Sequence, residues 1–184
     1  YLKQSDQKAF TPYNSDEIVN TTYPARVIYS DQKVYNTDIQ GFDIFRISNT
    51  SDLQETFRGI TKLTLAGDAM YAVQERAIAY LPVDAAIIET ADVNTLAIRS
   101  GTVIDTPNYL SKQFGSQHLK SVVNQDNSFF LTDNYNKVVL KVSGQEITNL
   151  TDIGTSTEFK SLLATPLGND AIYGLYDNLR RQYL

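Results

Sequence analysis

Apolar and polar positions alternate over short runs, and clusters of Gly, Asp, Asn and Ser separate the runs, which is the pattern of β-strands joined by turns. Residues 60–66 and 119–124 show a period of two, as in Leu63 with Leu65 and Ser121 with Val123, and 162–167 reads as a further run. Each meets a turn signal, Gly67-Asp68, Gln125-Asp126-Asn127 or Gly168-Asn169-Asp170, whose residues tolerate positive φ and bond their own backbone. A return strand follows, and it carries the frame Asp-x-x-aromatic-x-x-x-acid. The three copies run Asp68, Tyr71, Glu75; Asp126, Phe129, Asp133; and Asp170, Tyr173, Asp177, offset by 58 and then 44 residues. The six acids are assigned to turns, and the aromatics Tyr71, Phe129 and Tyr173 to sheet cores.

After the second acid, 77–83 and 137–143 read as third strands, and the second copy adds 146–150 beyond the turn Ser143-Gly144-Gln145. Four strands in meander order, recurring along a chain, are what a β-propeller blade looks like in sequence. The expected fold is therefore all-β, a partial β-propeller-like set of antiparallel meander blades, with an open β-sandwich as the alternative if the chain is complete. The expected organisation is a polar coil over 1–20, a first blade region over 21–83, an irregular excursion over 84–118, a second blade over 119–156 and the start of a third over 157–184.

Three stretches carry less regular signals. Residues 23–30 read as a strand ending at Asp31-Gln32-Lys33, with 42–47 as a nearby partner. Residues 85–91 fit helical and strand spacing equally. Residues 157–164 have a helical alternative, with Thr157 as cap and Pro166 as stop, in competition with the strand at 162. Two or three blades do not close a ring, so their edges must be paired by more chain, covered by a partner, or blunted. Tyr1 stands where Met would start a chain, which with the polar coil points to a segment of a longer polypeptide, its third blade continuing there.

Composition narrows the function classes. With 42% hydrophobic and 20% charged residues in 184, the chain is of ordinary globular make-up. Its formal charge of −5 comes from 16 basic and 21 acidic residues mixed along the sequence, with no basic stripe interleaved with aromatics, which argues against nucleic-acid binding by this segment. No run approaches the roughly 18 apolar residues of a membrane span, and the opening Tyr1-Leu2-Lys3-Gln4-Ser5-Asp6 lacks a signal-peptide core, so the segment reads as soluble. The absence of cysteine removes disulfides, thiolate nucleophiles and zinc-cysteine sites together.

Catalytic constellations are thin. His118 is the only histidine, at the head of an expected strand and without a nucleophile elbow beside it. Asp84, Glu89, Asp92 and Asp105 would hydrolyse a glycosidic bond only if two were held about 5–10 Å apart in a cleft, against the plainer account of a solvated loop. The repeat acids lack calcium-loop spacing, and the nine glycines are scattered too widely for a phosphate loop. Asn-x-Ser/Thr triplets at Asn20, Asn49 and Asn149 are short enough to arise by chance. The twelve tyrosines and eight phenylalanines are expected mainly in blade cores, with a sugar- or protein-binding face as the alternative. No catalytic, cofactor-binding or metal-binding residue is assigned, and no cofactor is expected.

The order of several motifs between Tyr23 and Leu150 resembles the propeller-bearing tail hub, nozzle or muzzle virion proteins of short-tailed and crAss-like bacteriophages. It begins with the aromatic-Pro-x-Arg-x-x-Tyr-Ser strand at Tyr23-Pro24-Ala25-Arg26-Val27-Ile28-Tyr29-Ser30. It continues through Gly59-Ile60-Thr61-Lys62-Leu63 and through Tyr71-Ala72-Val73-Gln74-Glu75-Arg76-Ala77-Ile78, where a Gln follows the hydrophobic strand. Ser100-Gly101-Thr102-Val103-Ile104, Tyr109-Leu110-Ser111-Lys112-Gln113-Phe114-Gly115 and Asn127-Ser128-Phe129-Phe130-Leu131-Thr132-Asp133 complete it. It departs from the family in a single Gly101 where a pair is expected and in the lack of Trp at 129–131. The resemblance implies a structural, non-enzymatic subunit located in the virion tail at the DNA exit end. It implies as partners other copies of itself, neighbouring tail proteins and host-surface glycans or receptors. A glycan- or receptor-binding propeller and a polysaccharide-degrading enzyme are the alternative readings.

Overall fold

The computed structural model describes residues 21–31, 41–83, 103–152, 156–164 and 172–184. The expected coil over 1–20, the ambiguous stretch 85–91, Asp170 and the acids Asp84, Glu89 and Asp92 lie outside the described residues. In chain order, β1 (Arg26–Ile28) and β2 (Thr50–Asp52) form a two-stranded sheet. A first four-stranded meander follows, built from β3 (Ile60–Ala66), β4 (Ala69–Gln74), β5 (Ile78–Leu81) and β6 (Asn108–Ser111). The second meander comprises β7 (Val123–Gln125), β8 (Ser128–Asp133), β9 (Val138–Ser143) and β10 (Glu146–Asn149). The helix α1 (Ser156–Ala164) precedes a final pair, β11 (Tyr176–Asp177) and β12 (Gln182–Tyr183). The class is all-β, every pairing is antiparallel, and none of these sheets closes into a barrel.

The two meanders stack face to face. Tyr71, Val73 and Ile78 from the first meet Phe129, Leu131, Val138, Leu140 and Val142 from the second in one apolar cluster. The opposite face of the first meander, Ala72, Ala79 and Leu81, packs on Ala25, Val27 and Leu53 from the β1–β2 sheet and its flanks. Phe130, on the opposite face of the second, stacks on Tyr176 and Tyr183 of the final hairpin, with ring centroids 5.3 and 5.4 Å away. Every residue of β8 is buried, so apolar burial, the main favourable contribution to folding, is drawn from both faces of a central strand.

Several expected elements differ. The expected partner at 42–47 is replaced by β2, whose residues pair with β1 as Arg26↔Asp52, Val27↔Ser51 and Ile28↔Thr50. Residues 119–124 begin as a 3₁₀ turn, Leu119–Ser121, because the Ser121 hydroxyl and N–H both donate back to the His118 carbonyl; only Val123–Gln125 is strand. Where a strand was expected from 162, α1 continues to Ala164, as the helix-forming run Glu158-Phe159-Lys160-Ser161-Leu162-Leu163-Ala164 favours, and Lys137 Nζ donates to its Leu163 carbonyl. The fourth strand of the first meander, β6, lies inside the expected excursion 84–118.

The alternation along β3 is inverted relative to the expectation. Thr64 and Ala66 are buried while Leu63 and Leu65 are exposed. The cause is close approach to β7: Lys62 Nζ donates to the Val122 carbonyl, the Thr64 hydroxyl bonds the Asn124 side chain, and the Gly67 N–H donates to the Asp126 carbonyl. Small or hydrogen-bonding side chains fit that narrow gap, and leucines do not.

Candidate functional site

The ladder registers fix which repeat positions correspond. Ala66 pairs with Ala69 around the two-residue turn Gly67-Asp68, and Gln125 pairs with Ser128 around Asp126-Asn127. Gly67 (φ 59°) therefore corresponds to Asp126 (φ 44°), an offset of 59 rather than 58. Tyr71 corresponds to Phe130, and Gln74 to Asp133. The sequence frame was keyed on the acids and places the first copy one residue off the ladder. Side chains of adjacent strand residues point to opposite faces. Tyr71 and Phe129 are consequently not counterparts but the two sides of one interface, tilted against each other at 5.2 Å.

Asp68 occupies the first hairpin turn and Glu75 the bend after β4, where its carboxylate lies 3.7 Å from Arg58. Asp133, 1% exposed, accepts from the Tyr135 and Asn136 N–H groups at 2.9 and 3.1 Å, from Asn136 Nδ2 at 2.7 Å and from the Gly115 N–H at 3.2 Å. Asp177 accepts from the Leu179 and Arg180 N–H groups at 2.9 and 3.2 Å, the same two steps along the chain. Lys137 (φ 55°) and Arg181 (φ 54°), four residues after each acid, share the left-handed conformation that closes the turn. The final hairpin thus repeats the β8–β9 turn. Tyr173 departs from the expected core: it is 65% exposed, its ring lying 4.6 Å under Lys120 Nζ, because the hairpin turns its Tyr176 and Tyr183 face toward Phe130 instead.

A polar strap over 113–118 ties the ends of β4 and β8 together. The Ser116 N–H donates to the Gln74 carbonyl, and its hydroxyl to the Thr132 carbonyl and within 2.9 Å of Ser121 Oγ. Gln117 Nε2 donates to the Glu75 carbonyl, while its Oε1 accepts from the Asn134 N–H. Gln74, fully buried, donates to the Gln54 and Arg58 carbonyls and accepts from the Tyr109 hydroxyl. Buried polar groups are tolerable when each is bonded, and these hold neighbouring loops in one arrangement. Gln74, Ser116 and Gly115 carried no chemical role in the sequence reading. The signal was present as a Gln ending an apolar strand and a Gly-Ser pair read only as a turn.

Burial pushes the pKa of the Tyr71, Tyr109 and Tyr183 phenols up, opposed at Tyr109 by its bond from the Gln54 N–H and at Tyr183 by its bond with Thr132. At the other end of the stack, Arg26 holds Asp52 through two bonds of 2.6 and 2.7 Å, which lowers the carboxyl and raises the guanidinium. Asp31 is likewise held down by bonds from Asn49 and then Arg46. His118 engages its neighbours through backbone atoms, and its buried Nε2 has no hydrogen-bond partner among the described residues. Asn49 and Asn149 are used as local hydrogen-bond formers, with Asp31 and with Thr151 and Asp152. Asp105 accepts from the next N–H, that of Thr106. Among the described residues no three His, Asp or Glu side chains converge as metal ligands, and no helix is long and apolar enough to cross a membrane.

A cleft of about 420 Å³ opens between β8, β9, the final hairpin and Phe159 of α1. Phe130, Lys141, Gln125, Tyr176, Arg181 and Gln182 are among its lining residues.

The family model described as Crassvirus muzzle protein matches residues 1–177, a range that holds both stacked meanders and the polar strap. The chain belongs to this muzzle protein family. Family membership assigns a virion-associated, structural role in a crAss-like phage, in assembly with other virion proteins. No curated protein matches the chain. In the muzzle protein the strap and the shared core are thus structural features, holding successive sheets in register.

Proposed function

We propose that this muzzle protein is a structural component at the distal, DNA-exit end of a phage tail, contributing an arc of β-propeller-like sheets to a ring of subunits. The observation that carries this reading is that the central strands of both four-stranded meanders, β4 with β5 and β8 with β9, are covered on both faces by neighbouring sheets. A two-layer sandwich leaves each sheet one wet face, whereas blades of a propeller are covered on both. The repeated Asp133 and Asp177 turns support reading 172–184 as part of a further blade.

The two ends of the stack carry exposed apolar side chains, Ile28, Phe42, Phe45 and Ile47 at one and Tyr173, Leu175 and Leu184 at the other. These are the surfaces offered to other copies and to neighbouring tail proteins. The role is one of architecture, with no catalytic step. Cross-linking mass spectrometry on purified particles tests the proposal. It predicts links from this chain to tail proteins and between copies of itself; a chain absent from particles and monomeric in solution would refute it.

A further inference from the structure

We propose that the cleft between β8, β9 and the β11–β12 hairpin is a binding subsite for a short acidic saccharide. Its volume of about 420 Å³ falls within the roughly 300–1,000 Å³ of small-molecule sites. Among the described residues the lining carries two cations, Lys141, whose Nζ lies 5.9 Å over the Phe130 ring, and Arg181, with no carboxylate, and neither cation has an ion-pair partner. Two cations lining one concavity without a carboxylate partner among the described residues, in a protein of charge −5, select for an anion.

The rest of the lining narrows the anion's class. The side-chain amides of Gln125 and Gln182 make no hydrogen bond among the described residues, and an amide offers both donors and an acceptor to hydroxyl groups. The rings of Tyr176 and Tyr183 supply apolar surface of the kind that packs against the C–H face of a pyranose. A nucleic acid fits less well, because two cations are too few to track a phosphate backbone. A uronic-acid disaccharide matches the set, its carboxylates meeting Lys141 and Arg181 and its hydroxyls the two glutamines.

The probe is digalacturonate, titrated calorimetrically into the 184-residue chain, with neutral digalactose and a thymidylate hexamer as comparisons. Saturable digalacturonate binding that exceeds that of digalactose, and falls about tenfold in the Lys141→Gln, Arg181→Gln double variant, is expected. Lys141 is half-buried and Arg181 exposed, and each is replaced by another polar side chain, so the double variant should keep the parent circular dichroism and melting temperature. The variant Lys112→Gln, on the ring of Tyr109 away from the cleft, should bind as the parent does. The proposal is overturned by no saturable digalacturonate binding, by equal binding of digalactose, by an unchanged affinity in the double variant, or by tighter binding of the hexamer.

Discussion

Asp133 and Asp177 make the same turn in different surroundings, and the difference sets what each is worth. Asp133 is buried and also holds the strap through the Gly115 N–H, whereas the Asp177 turn stands near the surface. Asp133→Ala strands a buried N–H and is expected to destabilise by about 3 kcal/mol, against about 1 kcal/mol for Asp177→Ala. Urea unfolding of the two variants checks the ratio. Phe129→Ala, at the centre of the shared core, is expected to cost about 4 kcal/mol by the same measurement. The turn chemistry of Asp-Asn-Tyr-Asn is local, and so it is visible in the residues themselves. The strap bond to Asp133 spans 18 positions of chain, and nothing in the local sequence around either end announces it. Gln74 enters the sequence reading only as a motif position, because the repeat frame follows the charged Glu75, while ladder register places the neighbouring amide inside.

At the scale of elements, two glycines should behave in opposite ways. Gly144 sits at φ 59° in a β9–β10 turn with open space around it, so Gly144→Ala meets only the left-handed backbone penalty, about 1 kcal/mol. A Cβ on Gly115 would run into the backbone of residues 74–76, so Gly115→Ala must displace the strap from β4. Thermal melting should show a small shift for the first and a several-fold larger one for the second. The β1–β2 sheet should respond to acid. Asp31 and Asp52 have native pKa values below their unfolded ones, so their contribution is present above about pH 4 and is lost as the pH falls through the lowered native values. Hydrogen exchange at the Val27 and Ser51 amides, corrected for intrinsic rates, should therefore lose protection on acidification ahead of that at β8. The hairpins of both meanders follow from alternation and turn residues, which act over a few positions. The pairing of β1 with β2, the entry of β6 into the first sheet and the burial of Thr64 rather than Leu63 depend on packing between distant segments. Periodicity alone does not encode those choices.

For the whole molecule, the all-β class and the meander order are readable along the chain, because consecutive strands pair with their neighbours. How the sheets stack is not, since the aromatic frame treats Tyr71 and Phe129 as copies when they are opposite walls of one interface. The corrected register makes Tyr71 and Phe130 the counterparts, each reaching from its own sheet toward the next in the stack. That succession is the basis for the proposal that the muzzle protein joins a larger ring of sheets at the tail tip. Cryo-electron microscopy of the tail end of intact particles tests this most directly. The account predicts density at the distal tip into which the two stacked four-stranded meanders fit, flanked on both faces by further antiparallel sheets. Finding the chain elsewhere in the particle, or finding its two meanders as an isolated sandwich with solvent on both outer faces, would contradict it.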